Sequence, residues 1–293
     1  MDEGVGGSWL PEGDGYDELS DVDASANAAG WLEMLRGMWA GAPGEKEARY
    51  ADLFRRFHLV PGERVLEVGC GAGGASRLLA RLTNGRNPIV AADPSQLAIA
   101  EARRLGNGEP GAPAVEYQVM DGRSLGFADG TFAAAFCSRV LVHAREPASI
   151  VEEMVRVIRP GGRLLAVEPD RDGLLTSAPR DEVNRLLWSR RRSRNPRIGR
   201  HLYGMFRRAG LRDVEVVPHF RASTAPPGPV AAREVRQAIA ARSGDYWELV
   251  RAGLIDEAAL EEHASGLEEA ARTGVFLRCD LEFAVIGTKA GET

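Results

Sequence analysis

Apolar and polar positions alternate in two rhythms along this chain, short β-type runs and longer stretches of helical period. Ala28 to Trp39 places Trp31, Leu32, Leu35, Met38 and Trp39 at helical spacing, and Gly41-Ala42-Pro43-Gly44 breaks it. A second helix is expected from Glu45 to about Phe57, with Tyr50, Leu53, Phe54 and Phe57 on one face. From Arg64 the pattern shortens. Val65-Leu66-Glu67-Val68 reads as a strand ending in glycines, and Ser76, Leu78, Leu79 and Leu82 follow in a helix. Ile89–Asp93 is the second strand, with a helix from Ser95 to about Leu105 behind it. Val115–Met120 and Phe132–Cys137 are the third and fourth strands. A helix over Pro147–Ile158 stops at Pro160-Gly161-Gly162, and Arg163–Glu168 is the fifth strand. Beyond it the pattern predicts helices near 180–190 and 199–209, a strand at 211–217, helices near 231–242 and 256–272, and a last strand within 275–286.

Strands that alternate with helices of this length imply βαβ units and a doubly wound, mostly parallel α/β sheet. Composition narrows the class. Of 293 residues, 37 are Lys or Arg and 42 are Asp or Glu, a net charge of −5, which argues against a dedicated nucleic-acid binder. No run of apolar residues is long enough to span a membrane. Three cysteines without C-x-x-C spacing offer neither a disulfide framework nor a zinc signature, so no metal is expected and a cytoplasmic enzyme with reduced thiols is. Residues 1–23 hold eight acids, five glycines and no Lys or Arg, and carry no secretory signal. At least the first dozen residues are expected to be mobile.

The chemistry gathers at strand ends. Gly69-Cys70-Gly71-Ala72-Gly73-Gly74 lets a ligand approach the backbone at a helix N-terminus. Gly69, Gly71 and Gly74 also fit G-x-G-x-x-G, which alone is a weak signal and also suits a structural turn. Glu67, two residues before the first glycine, faces a pyrophosphate unfavourably and suits a ligand bearing an ammonium and a sulfonium. Asp93, 22 residues after Gly71, can accept from both hydroxyls of a ribose. Its plainer role is to cap the next helix, although Ser95 can do that itself. Asp121 can accept from an adenine amino group, with Gly122 giving the ring room.

With these residues the chain resembles the class I S-adenosylmethionine-dependent methyltransferases, in particular the small-molecule branch of ubiquinone/menaquinone-type and bacterial natural-product enzymes. The likeness rests on Val65 to Gly73, Ala92-Asp93-Pro94-Ser95, Met120-Asp121-Gly122, Asp129-Gly130-Thr131-Phe132, Ser138-Arg139-Val140-Leu141-Val142-His143 and Arg159-Pro160-Gly161-Gly162. Order and spacing fit across about 60–170. The resemblance implies a seven-stranded, Rossmann-like sheet with an antiparallel last strand. It also implies S-adenosylmethionine as cofactor, with Glu67, Gly69 and Gly71 at its methionine portion, Asp93 at the ribose, Asp121 at the adenine, and Ser138 and Arg139 lining it. Cys70, Pro94, Met120 and Gly122 are further candidate cofactor contacts. The expected parts are an acidic arm and helix at 1–44, a cofactor-binding core at 45–220, a helical cap at 221–274 and the last strand and tail at 275–293.

Methyl transfer is an in-line displacement in which positioning supplies much of the rate, and a base is needed only for an acceptor that must lose a proton. His143, just past the fourth strand, is the candidate base, or else a pocket residue. Tyr16, His201 and Tyr203 are candidate acceptor contacts, though surface positions are the plainer reading of the latter two. Six arginines from Arg190 to Arg200 suit a solvated helix end better than nucleic acid, for no aromatic platform accompanies them. The apolar residues of the cap suggest a small, largely apolar acceptor, with an aromatic or indole-like ring among the options and oxygen, carbon or nitrogen as the methylated atom. A homodimer is compatible with this cap. Two other readings remain: a methyltransferase fold that catalyses cyclisation or no transfer, and an RNA or protein methyltransferase. A nicotinamide oxidoreductase is disfavoured by Glu67.

Overall fold

The computed structural model describes residues 28–39, 44–107, 113–177, 179–184, 194–224 and 243–291, together with Asp23, Leu186, Gly228, Ala232 and Arg233. Helical periodicity forms α1 (Ala28–Gly37) and α2 (Glu45–Arg55). The alternating part then gives β1 (Val65–Val68), α3 (Gly74–Leu82), β2 (Ile89–Asp93), α4 (Gln96–Asn107) and β3 (Glu116–Val119). β4 (Phe132–Ser138), α5 (Pro147–Val157), β5 (Ile158–Thr176), α6 (Ile198–Arg208) and β6 (Leu211–Thr224) follow. The chain closes with α7 (Ser243–Arg251), α8 (Glu257–Thr273) and β7 (Leu277–Lys289).

The seven strands form one sheet in the order β3-β2-β1-β4-β5-β7-β6. It is mixed but mostly parallel, with helices on both sides, as the alternating pattern implied. β1 pairs in parallel with β2 and β4, so Glu67 lies level with Ala91 and Phe136. Period-two alternation sorts β1 between two cores. Leu66 and Val68 join the cluster containing Ile150, Met154, Leu202 and Phe206. Val65 joins the opposite cluster, with Leu53 and Phe54 of α2 and Leu78 and Leu79 of α3. There Phe54 meets Phe136 edge-on at 4.9 Å between ring centres.

Three elements differ from the sequence pattern. β5 starts at Ile158 because its first residue pairs with Phe132, after which the register jumps so that Ala134 pairs with Arg163. The bulged Pro160-Gly161-Gly162 passes so close to β4 that a methyl group on Gly162 would stand 2.7 Å from the Ala133 carbonyl oxygen. β6 runs on to Thr224, seven residues past the expected end. α7 was not anticipated; it is one short helix whose Tyr246 and Leu249 pack around Val183. Of the expected helix at 180–190, residues 181–184 and 186 are helical and 185 and 187–190 lie outside the described residues, as does all of that at 231–242 but Ala232 and Arg233.

The chain divides into two compact units. One holds the described residues within 18–169, 197–219 and 282–293; the other holds those within 170–196 and 220–281. The second unit buries His263 completely, beside the Tyr246 ring.

Candidate functional site

The candidate site is the row of strand ends β3, β2, β1 and β4 in the first unit. Glycine makes the turn after β1 possible. Gly69, Gly71 and Gly73 have φ of 71°, 51° and 74°, the left-handed region that side chains disfavour. A methyl group on Gly69 would lie 2.3 Å from Val140 Cγ2, and one on Gly73 would lie 2.6 Å from the Tyr117 hydroxyl. Gly69→Ala is therefore expected to cost about 2–4 kcal/mol, from backbone strain plus overlap. Urea unfolding would read this as a lower midpoint, and an unchanged midpoint would show that the turn has slack.

The turn brings the acids of β1 and β2 together. The Gly71 N–H donates to Asp93 Oδ2 at 2.8 Å, and the Ser95 N–H donates to Asp93 Oδ1 at 3.0 Å. Burial raises the Asp93 carboxyl against these two donors. Ser95 itself caps α4, its Oγ accepting from the Ala98 N–H at 3.0 Å. Asp23 adds a second cap, accepting from the Ser95 hydroxyl at 2.5 Å and the Gln96 N–H at 2.6 Å. The capping role is thus filled without Asp93.

Glu67 is 3 % exposed, and its Oε2 has no hydrogen-bond partner. Burial pushes its carboxyl up to about 8, against hydrogen bonding from Ser76, and nearby Asp93 adds to the rise. An orphaned carboxylate oxygen at the end of β1 is a place for a cation. Cys70 is buried against Ala91, Ile99, Ala102 and Tyr117, and burial raises its thiol. Pro94 is exposed.

Met120 sits beside Asp93 through its backbone N–H, which donates to the Asp93 carbonyl at 3.0 Å. Asp121 is exposed and held by Arg123, whose Nη2 donates at 2.6 Å and whose backbone N–H donates at 2.8 Å. Hydrogen bonding to Arg123 keeps this carboxyl below its ordinary value. Gly122 is needed for space, since a methyl group there would lie 2.7 Å from Val68 Cγ1.

At the end of β4, Ser138 Oγ lies 2.6 Å from the hydroxyl of buried Tyr50. Arg139 has φ of 59°, unusual for a bulky residue, and donates to Glu282 at 2.8 Å. Arg49 donates to the other oxygen of Glu282 at 2.6 Å. His143 is half-buried in the next turn, its backbone N–H donating to the Val140 carbonyl at 2.9 Å. His201 and Tyr203 are exposed on α6, away from its buried Ile198, Leu202 and Phe206. Tyr16 lies outside the described residues.

Sequence reasoning missed four parts of this site. Tyr50, Arg49 and Glu282 come from α2 and β7, far from the glycine turn in sequence. The fourth is Glu168 at the end of the expected fifth strand, fully buried with its carboxylate turned to the backbone after β4. The only signal for it was an acid closing a buried strand. Leu35 and Trp39 also cover the glycine turn, standing where side chains on Gly71 and Gly74 would go. Trp39 packs edge-on against Tyr50 at 5.0 Å.

Three buried or strand-end carboxyls, one orphaned oxygen and a left-handed glycine turn suit a ligand with a cation and vicinal hydroxyls, and suit a pyrophosphate poorly. Residues 66–166 match the methyltransferase domain family. The chain is 38% identical over 162 residues to an uncharacterized 37.1 kDa protein in transposon TN4556 of Streptomyces fradiae, covering 54% of this chain and 46% of that one. It is 32% identical over 112 residues to methyltransferase GfsG of Streptomyces halstedii, covering 38% and 40%. The chain thus spans less than half the length of either curated relative. In fold it is similar to phosphoethanolamine N-methyltransferase 2 of Haemonchus contortus, solved with S-adenosyl-L-methionine, at a TM-score of 0.57 and 18% identity over 94% of this chain and 60% of that one. No helix among the described residues is long and apolar enough to cross a membrane.

Proposed function

We propose, from the premise that the core of this chain is a methyltransferase domain of the class I S-adenosylmethionine-dependent type, that the protein transfers a methyl group from S-adenosylmethionine to a small organic acceptor. The observation that carries this reading is the buried, unpartnered Glu67 oxygen beside the Gly69–Gly73 turn. The cofactor supplies an electrophilic methyl group on a sulfonium. Glu67 receives its ammonium, Asp93 accepts from its ribose hydroxyls, and Asp121 accepts from its adenine amino group. Gly69 and Gly71 let the backbone approach, and Ser138 and Arg139 line the flank. Cys70, Pro94, Met120 and Gly122 shape the walls. His143 takes a proton from the acceptor where the acceptor must lose one.

The acceptor is assigned as small and largely apolar, in keeping with the apolar residues of 221–274 in the sequence. The setting we assign is bacterial specialised metabolism. Incubating the full chain with methyl-labelled S-adenosylmethionine and a panel of phenols, quinols and indoles tests this. Label in an organic product with matching S-adenosylhomocysteine is the expected result. Cofactor binding with rearranged acceptor and no label would move the protein to the cyclisation reading.

Glu67 gives the assignment a proton signature. Its carboxyl, raised to about 8 by burial, is mostly protonated at pH 7. An ammonium placed against it favours the anion, so binding releases a proton. Cofactor affinity should therefore rise with pH toward about 8. Calorimetry at pH 7 in buffers of different ionisation enthalpy should detect close to one proton released, and Glu67→Gln should abolish it. Equal heats in all buffers for the unaltered protein would remove Glu67 from the ammonium site.

A further inference from the structure

Val140, Leu141 and Val142 turn the chain away from β4 between Arg139 and His143, and their backbone N–H groups all point at one side chain. Glu168 Oε1 accepts from Val140 at 2.9 Å and Leu141 at 2.8 Å, and Oε2 accepts from Val142 at 3.2 Å. The carboxylate is fully buried, within β5 one residue beyond Val167. It is joined to β4 through the sheet as well, since Ser138 is level with Val167. Three converging N–H groups on one buried carboxylate define a backbone position tightly, because each is a charge-assisted bond with fixed direction. Nothing in the proposed transfer chemistry uses Glu168 directly.

We infer that Glu168 is the positioning residue for the turn at 139–143, fixing where Arg139 and His143 stand relative to the cofactor end of β4. This rests on the methyltransferase reading for its consequence in catalysis, but not for its structural content. A protonated acid loses the negative charge and gains a donor, so it holds three N–H groups more weakly than the anion does. The turn therefore holds firmly when Glu168 is ionised and loosens when it is protonated. Burial raises this carboxyl to about 7, against the three backbone donors and Arg139, which puts the change near neutral pH. Arg139 favours the anion, and the buried Cys137 thiol on β4 feels its charge. α6 meets it through Gly199, whose missing side chain leaves room for the Glu168 carbonyl, while Arg197 and Arg200 of that stretch are exposed.

The test is hydrogen exchange of the full chain, resolved to the Val140–Val142 amides and corrected for intrinsic rates, across pH 5.5–8.5 as an approximate span around the Glu168 transition. The expected result is protection that rises through about pH 7 in the unaltered protein. In Glu168→Gln the protection should fall about tenfold or more and lose its pH step. The same variant should lower kcat about tenfold, with the cofactor Kd within about threefold and the acid limb of the pH profile altered. A merely structural role would lower the folded fraction and leave the profile of the remaining enzyme unchanged. Glu168→Asp, which keeps the charge on a shorter stem, should restore the pH step in part. Flat protection of these amides in the unaltered protein overturns the inference without any variant. Firm pH-dependent protection in a chain that fails to bind S-adenosylmethionine would uphold the latch and overturn the methyltransferase reading instead.

Discussion

Asp93→Ala is expected to weaken S-adenosylmethionine binding by about two to four orders of magnitude. A carboxylate that accepts from two ribose hydroxyls makes two charged hydrogen bonds, each worth about 1.5–3 kcal/mol. In the structure its oxygens already accept from Gly71 and Ser95, one N–H each. Carboxylate oxygens offer about four lone-pair positions, so two remain for the ligand. Removing the side chain takes away both the ribose acceptors and the tie between the β2 end and the glycine turn. Asp93→Asn separates the two losses. It keeps the volume but turns one acceptor into a donor, and it should fall between alanine and the unaltered protein. Calorimetric titration of each variant, with thermal unfolding to verify the fold, gives the comparison. Alanine binding within about threefold of the unaltered protein would contradict the ribose assignment.

His143→Ala is expected to lower kcat about 10²–10⁴-fold for a hydroxyl acceptor, with little change in cofactor Kd. The histidine closes the turn that Glu168 is proposed to position, half-buried rather than in the core. Its backbone N–H donates to the Val140 carbonyl, which holds the main chain there. A base contributes only if the acceptor must lose a proton in the reaction, so the effect should shrink for an electron-rich ring carbon. Comparing one phenol and one indole acceptor, if both are methylated, reads this directly. Equal rates for variant and unaltered protein on both acceptors would leave His143 as a wall of the pocket.

Much of this site was legible in the chain because the residues proposed to hold the cofactor sit at local sequence signals. Glu67, Gly69, Gly71 and Asp93 sit at strand ends that apolar runs and glycines mark, and the parallel register then sets those ends side by side. Ser138 and Arg139 follow for the same reason. What the sequence withheld is contact over long separations. Nothing in the local pattern around Tyr50 points to Ser138, or around Glu282 to both Arg49 and Arg139. Glu168 looked like any acid closing a strand, and only the turn after β4 reveals its role. Asp121 was legible as a strand-end acid, but its pairing with Arg123 two residues on was not. The limits of β5 were hidden by a bulge, since Pro160-Gly161-Gly162 reads locally as a stop. α7 was hidden by its length of nine residues, too short for periodicity to separate it from its surroundings.

Titrating the full chain by calorimetry with S-adenosylmethionine, S-adenosylhomocysteine and NAD in parallel decides whether these strand ends form the cofactor site described. Micromolar, one-to-one binding of the first two and none of the third is the expected result, an order of magnitude typical of small-molecule sites. Absence of S-adenosylmethionine binding, or binding of NAD in its place, would contradict the assignment of Glu67, Asp93 and the glycine turn and leave the fold alone standing.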